Sequence, residues 1–281
     1  PSPMRDFSQP MWDGAPAPQK TLLVHTEQGF GDSIQLARFL APASKRVGKL
    51  VMECHRALMP LMRTAEGVVD VYEKGKPLPA FDIHVPTFDL PQIFAATPAT
   101  IPLQMPYFHP APGMIAMWAD RLTRQGDGVK VGLAWAGNPN HANDRKRSIA
   151  LKAFDALLAL PGIQWVSLQI PQFPEAETRG RLIDWTAELK SFLDTAALIA
   201  SLDLVVTVDT AIAHLAGAMG KPVFVLIPYI SDWRWMIDRT DSPWYPSMRL
   251  FRQPGLRQWM KVMKPLENAV MAFRDGIAKP C

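Results

Sequence analysis

The sequence has few of the residues that mark secreted, zinc-binding or membrane-spanning proteins. Its two cysteines, Cys54 and Cys281, lie far apart and form no metal-spaced pair, so neither a disulfide framework nor a zinc site is expected. No apolar run reaches membrane-spanning length, and the first residues lack the hydrophobic core of a signal peptide. We therefore expect a cytoplasmic protein with no transmembrane segment and no bound metal.

Charge of one sign does not dominate the chain as a whole. The 30 Lys and Arg residues are scattered among 26 Asp and Glu residues, which gives a formal net charge of +4. This mild basicity suits an anionic small molecule and argues against nucleic acid as a partner. The length of 281 residues and the hydrophobic content of 48% suffice for two domains of ordinary size.

Apolar runs of strand length alternate with helical patterns in both halves of the chain. This rhythm predicts an α/β fold of two Rossmann-like domains, whose parallel sheets face each other across a cleft. We expect a linker over residues 1–19, a first domain over 20–125 and a second domain over 129–260. A C-terminal helix over 261–281 is expected to pack back on the first domain. The proline-rich stretch 86–112 predicts a long ordered loop.

Residues 205–223 combine a β-branched apolar run, a polar corner at Asp209 and Thr210, and a helix of small residues that contains His214. The corner therefore lies at the carboxyl end of a buried strand and at the amino end of a helix. Free backbone N–H groups and the helix dipole favour phosphate there. The alternative is that Thr210 only caps the helix and that His214 is a core residue.

The loop after the strand that ends near Trp135 is rich in hydrogen-bond donors and positive charge. It contains Asn138, three cations at 145–147 and Ser148. Such a loop suits a diphosphate, because Arg offers a bidentate fork and Lys a point charge. The alternative is a solvated basic loop.

The turn Gly29-Phe30-Gly31-Asp32 follows the first predicted strand. Asp32 is then a general base for an acceptor hydroxyl or, alternatively, only a helix cap. The two glycines also resemble the start of a dinucleotide fingerprint, with Glu53 at the end of the second strand as the ribose-binding acid. However, Ile34 occupies the third glycine position of that fingerprint.

Two further polar residues follow apolar segments. Gln169 ends a predicted strand and is a candidate contact for a ribose or a base. Arg234 lies between Trp233 and Trp235, where it either contacts a sugar or stacks on an indole.

Several motifs together resemble one known family. They are Glu27-Gln28-Gly29-Phe30-Gly31-Asp32 with Gln35 and Arg38, Trp135-Ala136-Gly137-Asn138, Arg147-Ser148-Ile149, Asp209-Thr210-Ala211-Ile212-Ala213-His214-Leu215 and Asp241-Ser242-Pro243-Trp244-Tyr245-Pro246. The chain resembles the glycosyltransferase domain that follows tetratricopeptide repeats in many bacterial proteins. That domain is similar to the heptosyltransferases of glycosyltransferase family 9. The resemblance spans about residues 12 to 265.

This resemblance implies a GT-B fold and inverting, metal-independent transfer from a nucleotide sugar, without a cofactor. It implies a glycan or protein acceptor, an upstream tetratricopeptide-repeat domain and a location in the cytoplasm or at the inner membrane. Its residues place Asp32 as the base and Arg147 near the donor phosphates, and Ala211 stands where the group usually has Gly. The implied phosphate-binding helix start comprises Thr210, Ala211 and His214, and the implied acceptor side comprises Gln28, Gly29, Gly31 and Gln35.

Two other functions remain open at the level of sequence. The pair Gly29 and Gly31 with Glu53 suits an NAD-dependent oxidoreductase, although Ile34 argues against it. The third hypothesis is a binding module that keeps the fold without catalysis.

Overall fold

Two all-parallel β-sheets organise the chain, which the computed structural model describes over residues 5–141, 143–170 and 180–277. Cys281 lies outside this range, as do the first four residues of the expected linker and the last four of the expected terminal helix. The α/β fold with two Rossmann-like sheets, predicted from the alternation of apolar patterns, is confirmed. The domain limits themselves remain a prediction, although one sheet lies within 129–260 and the other lies within 20–125 except for residues 17–19 of its first strand.

The first sheet has four strands in the order β3-β2-β1-β4. Its strands are β1 (Ala17–His25), β2 (Val47–Cys54), β3 (Asp70–Glu73) and β4 (Ile83–Pro86). The helices of this half are α1 (Phe30–Leu36), α2 (Leu40–Ser44), α3 (Met59–Met62), α4 (Leu90–Ile93) and α5 (Pro112–Thr123). Pro91 and Pro112 stand in first helical turns, where a proline leaves no further backbone donor unsatisfied. The expected loop over 86–112 therefore contains α4.

The second sheet has five strands in the order β6-β5-β7-β8-β9. Its strands are β5 (Val129–Ala134), β6 (Ile163–Ser167), β7 (Leu204–Val208), β8 (Val223–Ile227) and β9 (Met248–Arg252). The helices are α6 (Asp144–Arg147), α7 (Asp155–Leu158), α8 (Phe192–Ala200), α9 (Ala211–Ala218) and α10 (Met260–Ile277). Every residue of β7 and β8 is buried, as expected for central parallel strands covered on both faces.

The strand order reverses once in each sheet. In the first sheet, the chain moves outward from β1 to β2 and β3 on one side and to β4 on the other. In the second sheet, β5 and β7 are neighbours from which the order runs in opposite directions. Ligands of open α/β sheets bind in the crevice that such a reversal leaves at the carboxyl ends of the strands. The segments after β1, β5 and β7 are therefore expected to meet a ligand.

One hydrophobic cluster continues from the first half of the chain into the second. It includes Leu22 of β1, Ile34 of α1, Ala213 of α9 and Val225 of β8. The helices α1 and α9 pack so closely that a Cβ atom on Gly31 would lie only 2.8 Å from Cδ2 of His214. Only glycine fits at that crossing, so the Gly31 position brings the two halves together.

The prediction that residues 1–19 form a loosely docked linker is wrong for the residues that the structure describes. Residues 17–19 belong to β1, and Trp12 is 3% exposed. The Trp12 N–H donates to the carbonyl of His84 at 2.7 Å, and the Arg5 guanidinium pairs with the fully buried carboxylate of Glu53. The segment therefore completes the first domain by edge pairing and by an ion pair.

The expected return of the terminal helix to the first domain is also wrong. One face of α10, including Val262, Leu266 and Val270, belongs to a second hydrophobic cluster made of residues from the second half. Phe154 and Phe251 of that half are in the same cluster. The helix covers a face of the second sheet because that face would otherwise expose its aromatic side chains to water.

Candidate functional site

A cavity of about 1140 Å³ lies between the two halves, and the segments that follow β1, β5 and β7 line it. Typical small-molecule pockets enclose about 300–1,000 Å³. The cavity therefore has room for a ligand larger than a single nucleoside. Five of the predicted donor-site residues line it, namely Asn138, Arg147, Thr210, Ala211 and His214. Gln28, Gly29, Gly31 and Asp32 form the opposite wall.

Asp32 stands in the first turn of α1, on the first-domain wall. Its Oδ2 accepts the Gly29 N–H at 2.9 Å, so the side chain caps the helix. The side chain is 22% exposed and lines the cavity. The helix cap and the general base were alternatives at the level of sequence, but the structure is compatible with both roles in one residue.

Arg234 reaches Asp32 from the other half of the molecule. Its Nη2 donates to Asp32 Oδ1, its Nε donates to Gln35 Oε1 at 2.7 Å, and its Nη1 lies 2.8 Å from Asp232 Oδ1. The residue is 8% exposed. The candidate sugar contact is thus also the partner of the candidate base. The pairing of Asp232 with Arg234 was not predicted from the sequence, where the only indication was that Asp232 stands two residues before Arg234.

The amino end of α9 lines the cavity on the side of the second domain. Thr210 is the N-cap, and its Oγ1 accepts the Ile212 N–H at 3.3 Å. Thr207 Oγ1 lies 3.3 Å from the same oxygen. Thr210 therefore caps the helix, as in the alternative interpretation of the sequence, and both Thr210 and Ala211 line the cavity. A helix start in this position presents N–H groups and a partial positive charge to an anion.

His214 lies one turn inside α9 and is 3% exposed. Its ring stacks on Trp235 with centroids 5.3 Å apart, and its Nδ1 lies 3.1 Å from the Tyr245 hydroxyl oxygen. Burial lowers the pKa of His214 well below its ordinary value, and the nearby cations Arg234, Arg38 and Arg147 lower it further. The ring is therefore neutral and can contact a phosphate only through a hydrogen bond.

Arg147 is held in the cavity wall by its own neighbours. Its Nη1 donates to the carbonyl oxygen of Asp209 at 2.9 Å, and its Nε lies 3.6 Å from Asp144 Oδ1. The carbonyl of Asp209 therefore fixes the basic loop against the start of α9. Burial raises the pKa of the Asp209 carboxyl, while Arg234 and Arg147 oppose that rise. Asn138 is exposed at the cavity mouth, where its Oδ1 accepts the Asn140 N–H at 3.0 Å.

Ser148 and Gln169 were predicted to bind the donor, and the structure gives both of them other partners. Ser148 Oγ accepts the Gly137 N–H at 2.9 Å and donates to Asp144 Oδ1 at 2.8 Å. Gln169 is 1% exposed. Its Oε1 accepts the N–H groups of Trp135 and Ala136 at 2.9 and 2.8 Å, and its Nε2 donates to the Ala136 carbonyl at 2.9 Å. Both residues shape the basic loop, and neither lines the cavity.

Glu53 is unable to act as the ribose-binding acid of an NAD site. It is fully buried, and its two oxygens accept from Arg5 at 2.9 and 2.7 Å. Its Oε1 also accepts the Gly75 N–H at 3.2 Å. Gly31 is also unable to approach a pyrophosphate closely, because it packs against His214. Glu53 and Gly31, the residues that motivated the oxidoreductase hypothesis, therefore have structural roles that account for their presence.

An aromatic cluster at the cavity was not anticipated from the sequence. The Phe30 ring lies 5.3 Å from the ring of His55 and 5.2 Å from that of Phe192, both in edge-on geometry. All three residues line the cavity, and Phe192 comes from the second half. No pattern in the sequence linked Phe30 with Phe192, because the contact depends on how α1 and α8 meet.

Comparison with known proteins gives the architecture a family context. Residues 188–252, from α8 to β9, match the sequence model of glycosyltransferase family 9 (heptosyltransferase). The chain is similar to the glycosyltransferases of family 9. It is also 29% identical, over 289 residues, to Protein FlbA of Caulobacter vibrioides. That alignment covers 93% of this chain and 48% of the relative, so the chain spans about half the length of the curated relative that it matches.

Several solved structures share the fold. A glycosyl transferase family 9 protein of Veillonella parvula aligns with a TM-score of 0.62 at 12% identity, covering 92% of this chain and 96% of the other. ADP-heptose lps heptosyltransferase II of E. coli aligns with a TM-score of 0.57 at 12% identity, covering 89% and 99%. The iron-containing dodecameric glycosyltransferase TibC of enterotoxigenic E. coli aligns with a TM-score of 0.58 at 11% identity, covering 94% and 78%.

The resemblance to the family 9 group and the GT-B fold, both predicted from the sequence, are confirmed by these comparisons. Two observations concern the described residues alone. None of the helices within 5–141, 143–170 and 180–277 combines the length and the hydropathy needed to cross a bilayer. Over the same ranges, no three His, Cys, Asp or Glu side chains are grouped as ligands of one metal ion.

Proposed function

We propose that the chain is an inverting, metal-independent glycosyltransferase that moves a sugar from a nucleotide-sugar donor to a hydroxyl of a glycan or protein acceptor. The observation that carries the proposal is the placement of Asp32 on one wall of the cavity and of Arg147 with the start of α9 on the other. A base and an anion-binding wall thus face one space, as single-step displacement of a phosphate group requires.

In the proposed reaction, Asp32 accepts the proton of the acceptor hydroxyl. The acceptor oxygen attacks the anomeric carbon from the side opposite the leaving group, and the bond from that carbon to the phosphate oxygen breaks. The electron pair of the broken bond stays on the departing nucleotide. Because attack and departure occur on opposite faces, the configuration at the anomeric carbon inverts.

The departing nucleotide carries the negative charge that must be stabilised in the transition state. The N–H groups at the start of α9 and the side chains of Lys146, Arg147 and Arg234 border the space it would occupy. Donors and cations fixed in advance usually supply the largest contribution to such catalysis. Metal independence is proposed because these groups provide the positive charge, and no cofactor enters the proposed reaction.

The acceptor would bind on the wall of the first domain. Gln28, Gly29 and Gly31 border the cavity there, and Gln35 lies behind Asp32, where it holds Arg234. An upstream tetratricopeptide-repeat domain that presents the acceptor, and a cytoplasmic location at the inner membrane, belong to the same proposal. The length of the matched Caulobacter relative leaves room for such a domain.

The test begins with donor binding. We expect one class of nucleoside diphosphate or nucleotide sugar to raise the melting temperature, since a ligand at 100 times its Kd stabilises by about 2.7 kcal/mol. Release of nucleotide from the matching donor is then measured for the wild type, for Asp32→Asn and for the control Asp127→Asn. Asp127 is exposed on the connection before β5.

We expect Asp32→Asn to lose about 10²- to 10⁴-fold in turnover without weaker nucleotide binding, because the lost step is proton transfer. Asp127→Asn should match the wild type in both assays. Full turnover by Asp32→Asn would refute the role of Asp32 as base. Nucleotide binding without turnover, over a panel of donors and acceptors, would instead favour a binding module with this fold.

A further inference from the structure

The guanidinium of Arg234 joins the two halves of the molecule at the candidate base. It donates to Asp32 and Gln35 in the first half, and it pairs with Asp232 in its own segment. The segment Trp233–Trp235 is a 3₁₀ turn capped by Asp232, whose Oδ1 accepts the Arg234 N–H at 3.2 Å. A single cation therefore lies between two carboxylates that line the cavity, Asp32 and Asp232, and the buried amide of Gln35.

Both oxygens of Asp32 are engaged in this arrangement. Oδ2 accepts the Gly29 N–H at 2.9 Å, and Oδ1 accepts from Arg234. Each oxygen keeps a second lone pair that could accept the proton of the acceptor, but the guanidinium of Arg234 restricts the approach to Oδ1. The Gly29 bond belongs to the helix cap and is fixed by the backbone. Arg234 is the partner that a side-chain rotation can remove.

The start of α9 is close enough to offer Arg234 another partner. A Cβ atom on Gly31, next to Asp32 in α1, would lie only 3.6 Å from the backbone of Ala211. Asp32, Arg234 and the start of α9 also line one cavity, so a phosphate bound at the start of α9 would share that space with the Asp32 carboxylate. Arginine forms bidentate bonds with carboxylates and with phosphates alike, so the two anions compete for one guanidinium.

The segment that carries Arg234 is anchored independently of Asp32. Arg252 donates to Ser231 Oγ at 2.7 Å and to the carbonyl oxygens of Trp235 and Met236 at 2.9 Å each. Asp232 also holds Arg234 from its own side of the cleft. Release of Asp32 thus requires only a movement of the Arg234 side chain, while the loop stays in place.

We propose that Arg234 exchanges Asp32 for the donor phosphate, so that binding of the donor frees the base for the acceptor hydroxyl. This inference rests on the proposed function and adds an order to it. Before the donor binds, Arg234 covers Asp32 and the site is not competent. After the exchange, the same cation stabilises the leaving nucleotide and Asp32 Oδ1 faces the acceptor. Arg234 is then a positioning residue for the base and a ligand of the donor.

A double-mutant cycle on nucleotide affinity tests the exchange. Affinity for the nucleoside diphosphate chosen in the binding screen is measured by calorimetry in wild type, Asp32→Asn, Arg234→Met and the double variant. We expect Asp32→Asn to tighten binding about three- to tenfold, because it frees Arg234 for the phosphate. In the Arg234→Met background, the same substitution should change affinity less than twofold. If Arg234→Met fails to fold, Arg234→Gln takes its place and keeps donors for Gln35 and Asp232.

A merely structural bond between Arg234 and Asp32 would give the opposite sign, since breaking it would loosen the wall and weaken binding. Equal effects of Asp32→Asn in both backgrounds would overturn the exchange while leaving the proposed function intact. A wild-type protein that binds no nucleotide would refute the proposed function itself. A structure of the nucleotide complex with Arg234 still on Asp32 would also overturn the exchange.

Discussion

Gln169 offers a sharp test of the distinction between a ligand contact and a structural bond. Gln169→Met keeps the approximate shape of the side chain and removes all of its polar atoms. The loss removes the three buried hydrogen bonds that Gln169 makes to two backbone N–H groups and one backbone carbonyl. An unsatisfied buried group costs about 1–3 kcal/mol. Three such groups predict a loss of about 3–5 kcal/mol, allowing for partial relaxation.

That loss is a large share of an ordinary stability of about 5–15 kcal/mol. It is measured as the free energy of unfolding in urea, followed by tryptophan fluorescence. Gln125→Met is the matched control, because Gln125 is exposed and such surface changes usually stay within about 0.5 kcal/mol. A loss below about 1 kcal/mol for Gln169→Met, together with a tenfold weaker nucleotide affinity, would contradict the structural role and restore the ligand contact.

Two further predictions concern other parts of the molecule. Gly137→Ala would place a Cβ atom 2.8 Å from Arg147 Nη2 and in steric conflict with Asp144 Oδ1, so we expect about tenfold weaker nucleotide binding. Gly113→Ala is the control, because open space surrounds Gly113, and it should bind nucleotide like the wild type. Unchanged affinity in the Gly137 variant would show that Arg147 does not serve the donor. Burial, with His84 and Arg5 contributing, lowers the pKa of His25 to about 4. The stability gained from this neutral ring is therefore fully present above about pH 6.5 and is lost as the pH falls toward 4. The free energy of unfolding in urea, measured between about pH 4 and 7, should fall less steeply with decreasing pH in His25→Gln than in the wild type. Equal pH dependence in the two proteins would contradict this.

The strands and the main helices were predictable because burial leaves a direct trace in the sequence. The run Leu204–Val208 is apolar or β-branched throughout, which suits a strand covered on both faces. The place of the terminal helix was not predictable in the same way. The periodicity of α10 shows that one face is apolar, but it does not say which of the two sheets that face covers. The ion pair of Arg5 with Glu53, between distant parts of the chain, left no local pattern at all.

The candidate site shows the same division. Asp32, Thr210 and Arg147 follow predicted strands, and the rule for open α/β sheets places such residues at the ligand crevice. Gln169 and Ser148 occupy equivalent positions in the sequence, yet backbone groups and Asp144 take up their polar atoms. Sequence position identifies polar residues near the crevice. Which of them remain available to a ligand depends on the partners that the folded loops supply.

The hydrophobic cluster shared by both halves also affects how the chain is made. The ribosome releases residues in order, at about 5–20 per second, and α1 emerges long before α9 and Tyr245. Tyr107 donates from its hydroxyl to the carbonyl of Ile34, and its N–H donates to the carbonyl of Ala218 in α9. The contact of α1 with α9 can therefore form only after β5, β6 and β7 of the second sheet have been synthesised, so the wall between the two halves is completed late.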